Sequence, residues 1–151
     1  MARGFNFLVF ALVIILLGLS ACGGTGTQNP FFGVDDPIKN TAVPEEYTDL
    51  ANPFTGDADA IAKGEILYQA NCSSCHGNTG EGDGPASAGL DPKPKNLAEN
   101  QPNLSDSYLF WRISEGGLIQ PFNSIMPGWK GLLREEQIWQ VIAFLRTMLV
   151  L

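Results

Sequence analysis

Apolar side chains recur at three- and four-residue steps near the C-terminus, where Ile138, Val141, Ile142, Leu145 and Leu149 share one face of a helix predicted over about Glu135 to Leu149. Glu135 and Glu136 stand in its first turn, where the helix dipole favours anions. A second helix is predicted to run to about Asn71 with Ala60, Ile61, Ala62, Leu67 and Tyr68 apolar, capped by Asp57 or Asp59. Gly64 lies inside it, where glycine costs about 1 kcal/mol relative to Ala, a sign of close helix packing. A third is predicted over Ser105 to Ser114, with Ser105 as N-cap and Gly116-Gly117 as the stop. No stretch sustains strand alternation between hairpin turns, so the pattern predicts an all-α domain.

Between these helices the periodicity disappears. From Gly77 to Pro102 the chain carries Gly at 77, 80, 82, 84 and 89 and Pro at 85, 92, 94 and 102, a connection with no evident core of its own. A loop of that length in a compact domain wraps something or is functional, and a large apolar ligand could supply the missing core. Residues 22–56 also lack a period and read as an extended arm, with Pro at 30, 37, 44 and 53. Phe31, Phe32, Tyr47, Leu50 and Phe54 give this arm more large apolar groups than a spacer needs; both a disordered spacer and an arm lying across a partner protein remain open. The compact domain is expected over 57–151.

At the N-terminus, Arg3 precedes an apolar run from Phe5 to Leu19, which has the form of a secretory signal over residues 1–21. The run falls short of the roughly 18 to 20 residues of a spanning helix. Its ending, Leu19-Ser20-Ala21-Cys22, resembles the bacterial lipobox, which implies acylation of Cys22 and a chain held by lipid at the outer face of a bacterial membrane. An ordinary signal peptide that happens to contain a cysteine is the alternative. With Arg3 removed, the mature 130 residues carry 8 basic and 16 acidic side chains, a net charge of −8 against −7 for all 151 residues. So acidic a chain, with no Lys/Arg cluster, is not built for nucleic acid.

Three cysteines cannot all pair within one chain, and one histidine cannot build a His-rich zinc site. Two of the cysteines and that histidine form Cys72-Ser73-Ser74-Cys75-His76, the C-x-x-C-H signature of covalent c-type haem attachment. The spacing presents both thiols to one side of a flat macrocycle, with the following imidazole beneath its centre. Zinc would need a fourth ligand, and a thioredoxin-like site would want a βαβ setting that is absent here. For a second axial ligand, Met126 and Met148 survive signal cleavage. Met148 falls in the last helix as packing, whereas Met126 sits in a loop where Pro127 keeps the backbone extended and leaves the thioether projecting.

Gly64, Tyr68, Cys72 to Gly77, Gly80, Gly82 to Pro85, Met126-Pro127 and Ala143-Phe144-Leu145-Arg146 together resemble class I mono-haem cytochrome c from about Asp57 onward. The resemblance implies three to five helices wrapped around one covalent haem c, Gly64 packed against an aromatic of the last helix at Phe144, and a proline carbonyl at Pro85 orienting His76. Arg134 departs from the pattern, standing where a Ser, Thr or Asp cap is usual. With the lipobox and the arm motif Val43-Pro44-Glu45-Glu46-Tyr47, the chain also resembles the small mono-haem subunit of alternative complex III, a quinol oxidoreductase. That implies an electron-transfer protein rather than an enzyme, partnered by membrane lipid and by other subunits or a soluble redox protein. Two alternatives stand beside a respiratory or photosynthetic subunit: a free-standing tethered carrier, and an exported thiol-disulfide oxidoreductase using Cys72 and Cys75.

Overall fold

The computed structural model describes residues 41–148; the signal segment, Cys22, Phe31 and Phe32 of the arm, and Leu149 lie outside the described residues. Among the described residues a 3-10 turn at Glu45–Tyr47 precedes helix α1 (Ala58–Asn71) and the one-turn helix α2 (Ser73–His76). After a 3-10 turn at Ser87–Gly89 come α3 (Leu97–Asn100), continued by a 3-10 turn at Gln101–Asn103, then α4 (Asp106–Glu115) and α5 (Glu135–Leu145). Extended pairing among them is limited to an isolated bridge between Lys130 and Leu133. No described helix is long and apolar enough to cross a membrane.

Helices α1, α3 and α4 start where a side chain accepts from an orphan N–H group. Asp57 accepts from the Ala60 N–H at 2.9 Å, Asn96 from Glu99 at 3.0 Å and Ser105 from Tyr108 at 3.1 Å. At α5 the unusual Arg134 has no acceptor to offer, and Gln137 acts instead: its side-chain oxygen accepts from the Arg134 N–H at 3.0 Å. The helix ends at Leu145, four residues before the predicted Leu149. Arg146 is the cap, its N–H still donating to the Ile142 carbonyl at 3.1 Å while its guanidinium donates to Asp106 at 2.6 Å and to the Leu104 carbonyl at 2.8 Å, and Met148 N–H closes a tight turn onto Leu145 at 3.0 Å.

The core forms where α1 crosses α5. A Cβ placed on Gly64 would lie 1.9 Å from the Gln140 carbonyl oxygen and 3.1 Å from the Phe144 Cβ, so the two backbones meet at a point that admits no side chain. One turn on, Tyr68 is fully buried with its ring 5.4 Å from that of Phe144. Ile138 and Ile142 complete the centre, and Trp139 stacks on Phe110 of α4 at 4.3 Å.

The last part of the segment read as an arm lies on this body. Tyr47 is buried, and Val43, Leu50 and Phe54 pack against the core. Leu50 N–H donates to the Ser107 hydroxyl at 2.9 Å, Asn52 N–H to Asp106 at 3.0 Å, and the Asn52 side-chain amide to the Trp139 carbonyl at 2.9 Å. Among the described residues the compact body thus takes in residues 43–56 ahead of the expected start at Asp57, because their apolar side chains and backbone groups are satisfied by α4 and α5. Gly64→Ala should lower stability by about 3 kcal/mol in urea unfolding of the holoprotein, the upper range for overpacking where backbone must move; a loss under about 1 kcal/mol would contradict the crossing described.

Candidate functional site

Helix α1 delivers the C-x-x-C-H motif directly. The chain breaks helical geometry at Cys72 and restarts as α2, in which His76 N–H donates to the Cys72 carbonyl at 2.9 Å. Gly77 then takes φ +79°, the left-handed region that favours glycine, and a Cβ there would lie 1.9 Å from the Asp83 carboxylate. This reversal folds the glycine-rich loop back onto the motif. Gly82, Gly84 and Ala86 N–H groups donate to the carbonyls of His76, Cys75 and Ser74 at 2.8, 3.2 and 2.8 Å. The buried Tyr68 hydroxyl donates to the Gly77 carbonyl at 2.7 Å, tying the motif to the helix crossing.

Cys72, Cys75 and His76 line one wall of a cleft enclosing roughly 1270 Å³ of non-atom space, part of it open to solvent. Met126, Pro127 and Trp129 line it from the loop after α4, and Val141 and Leu145 from α5. Tyr108, Leu109, Arg112 and Ile113, adjacent on one face of α4, form another side. The second half of the long proline-rich loop contributes Leu90, Pro92, Pro94 and Leu97. The structure therefore gathers both thiols, the imidazole and the thioether of Met126 around one largely apolar space. Met148 sits elsewhere, buried in the core with its sulfur 2.6 Å from where a Gly80 Cβ would be.

The orienting contact on His76 differs from the one the resemblance implied. His76 Nδ1 donates to the carbonyl of Lys95 at 3.2 Å, not to that of Pro85. Pro85 is exposed in the returning loop between Gly84 and Ala86, whose N–H groups face Cys75 and Ser74, so its neighbours serve the motif's backbone and another segment reaches the ring. With Nδ1 engaged by an acceptor, the lone pair of the neutral ring is on Nε2. Burial lowers the His76 pKa, with the Lys95 hydrogen bond opposing, and so favours the neutral, ligating form. Burial, with Cys75 adding to it, pushes the Cys72 thiol up to about 12, the reverse of an activated redox cysteine.

Charge is sorted around the cleft. Lys93, Lys95 and Arg112 line it, and among the described residues no Asp or Glu does, in a chain with 16 acidic and 9 basic residues. The Arg112 guanidinium lies 3.5 Å from the centroid of the Phe122 ring, and burial lowers its pKa. Apolar walls, paired thiols, a neutral imidazole and a basic lining together fit a haem, whose flat apolar ring carries two carboxylates. Among the described residues no three His, Cys, Asp or Glu side chains converge as a metal-holding group.

A family model described as cytochrome c oxidase, cbb3-type, subunit III matches residues 59–145, more than half of the chain. The chain belongs to this cytochrome c family. Membership brings covalently bound haem c and haem-mediated electron transfer, and its relatives are electron-transfer proteins or subunits. The chain is 28% identical over 129 residues to the cbb3-type cytochrome c oxidase subunit FixP of Bradyrhizobium diazoefficiens, covering 78% of this chain and 38% of that one. It is 24% identical over 132 residues to subunit CcoP of Azospirillum sp., covering 83% and 42%. It thus spans about two fifths of the length of the curated relatives it matches. Among solved structures it is similar to cytochrome cL from Hyphomicrobium denitrificans, with a TM-score of 0.50 and 25% identity over 74% of this chain and 66% of that one. A chain of the Kuenenia stuttgartiensis reducing HAO-like protein complex shares the fold at a TM-score of 0.51 and 18% identity, covering 67% and 47%.

Sequence reasoning overlooked the Lys95 carbonyl, although Asn96-Leu97-Ala98-Glu99 reads as a capped helix start that would stop the proline-rich loop beside the ring. It also passed over Arg112, a cation on an otherwise apolar helix face. Tyr68→Phe removes the shorter of two hydrogen bonds to the Gly77 carbonyl, which keeps the Gly80 N–H at 3.3 Å, and should cost about 1 kcal/mol in urea unfolding; an unchanged midpoint would show that the bond does not anchor the motif.

Proposed function

We propose that Cys72 and Cys75 hold one haem c by thioether bonds, that His76 and Met126 are its axial ligands, and that the protein passes single electrons as a lipid-tethered subunit of a quinol-oxidising complex. The observation that carries the ligand set is the shared cleft: Met126, fifty residues beyond His76 in sequence, faces the same space as the motif. When bound, the haem supplies a one-electron iron couple. His76 offers Nε2 and is held to one tautomer by the Lys95 carbonyl, which also raises the basicity of the ring. Met126 offers a weak thioether donor that favours the reduced metal, and the apolar walls disfavour added positive charge; both raise the potential. Lys93, Lys95 and Arg112 line the cleft and would offset the carboxylates of the bound group. Held by both His76 and Met126, the group would supply electron transfer and no substrate chemistry.

The tether and the complex rest on the sequence. The lipobox-like ending at Cys22 supports an anchor at the outer face of a bacterial membrane. The arm motif and the resemblance to the small mono-haem subunit of alternative complex III support a quinol-oxidising assembly, and two relatives are by name subunits of cbb3-type cytochrome c oxidases. A thiol-disulfide role would need a stabilised thiolate, which the environment of Cys72 opposes.

Produced with a cytochrome c maturation system, the protein should carry one covalent haem by intact mass, and loss of both Cys72 and Cys75 should abolish it. Met126→Ala should remove the weak near-infrared sulfur-to-iron band and lower the midpoint potential by on the order of 0.1 V, within the roughly 0.8 V that axial ligands command. Persistence of the band would exclude Met126. Extraction from the native membrane in mild detergent should bring other redox subunits with it; elution alone would favour the free tethered carrier.

A further inference from the structure

The loop carrying Met126 serves as the C-terminal cap of α4. The last carbonyls of a helix have no partner within it, and here those of Ile113 and Ser114 accept from the N–H groups of Trp129 and Lys130, both at 3.0 Å. On the other side of the loop, Gly117 N–H donates to the Met126 carbonyl at 2.8 Å, and Ser124 N–H to the Gly117 carbonyl at 2.8 Å. Any shift of the α4 end relative to this loop therefore moves Met126.

A side-chain joint closes at the same place. Lys130 Nζ lies 3.2 Å from Glu115, the last residue of α4, and donates to the Tyr47 hydroxyl at 3.2 Å, while that hydroxyl donates to Glu115. The Lys130 and Glu115 side chains are 68% and 34% exposed, and an ion pair so open to water holds little by itself. Tyr47 changes that, because its ring is 5% exposed, 6.2 Å from Phe110, and fixed by an arm that is separately bonded to Ser107, Asp106 and Trp139.

We infer that Tyr47 is a positioning residue for Met126: the docked N-terminal segment latches the methionine loop to the end of α4 through Lys130 and Glu115, and so sets how readily the thioether leaves its partner. This rests on Met126 being an axial ligand. Tyr47→Phe keeps the ring in the core and removes the hydroxyl; Lys130→Met changes an exposed side chain and leaves the fold untouched.

The test is displacement of the methionine by added imidazole in the full-length ferric holoprotein, followed on the near-infrared band, with urea unfolding recorded alongside. Each variant should raise the apparent imidazole affinity about fivefold, as expected for one lost hydrogen-bonded link, and the double variant should raise it no further. Ser105→Ala, which removes the cap at the far end of α4, should lower global stability and leave the imidazole affinity unchanged. Unchanged affinity in Tyr47→Phe and Lys130→Met, additive effects in the double variant, or an equal rise in Ser105→Ala would each overturn the latch while leaving the ligand assignment standing. A wild-type protein without the band would overturn both.

Discussion

Where α1 crosses α5, Gly64 brings two helix backbones within reach of each other, and the geometry of the site follows from that approach. Because the helices are that close, Tyr68 lies fully buried one turn later and its hydroxyl lands on the Gly77 carbonyl, just past the end of the C-x-x-C-H turn. The same approach sets α5 so that Val141 and Leu145 form part of the cleft facing the motif. A side chain at position 64 would act on the thiols and the imidazole without touching either.

Opposite the motif, the structure relies on capping. Helix α4 ends with carbonyls that need donors, and the segment from Gly116 to Lys130 returns to provide them, carrying Met126 in its middle. Both walls of the cleft are thus fastened by backbone hydrogen bonds at helix ends, whereas the space between is lined by apolar side chains. A chain this rich in loops leaves those walls short of partners of its own, and a covalently attached macrocycle completes the core as well as performing the electron transfer.

The three long helices were legible because burial imposes a period and Asp57 and Ser105 can cap. The motif was legible because its chemistry demands fixed spacing. The docking of Tyr47, Leu50 and Asn52 was not, since irregular chain held by single hydrogen bonds to Ser107, Asp106 and Trp139 leaves no periodic trace. The orienting carbonyl was misplaced for a related reason. Backbone carbonyls are supplied by every residue, so Pro85 and Lys95 are indistinguishable as acceptors until the path of the loop between them is known. The last helix was expected to run too far because apolar spacing continues through Leu149, while the chain closes into a tight turn at Met148 just after the capping Arg146, whose side chain is tied to Asp106.

The docked segment also fixes a distance. A fully extended chain spans at most about 3.5 Å per residue. Left free, residues 43–56 would span up to about 50 Å. Docked along α4 and α5, those fourteen residues add none of that reach to any attachment ahead of them, and a redox centre on a tether so shortened would patrol a smaller volume.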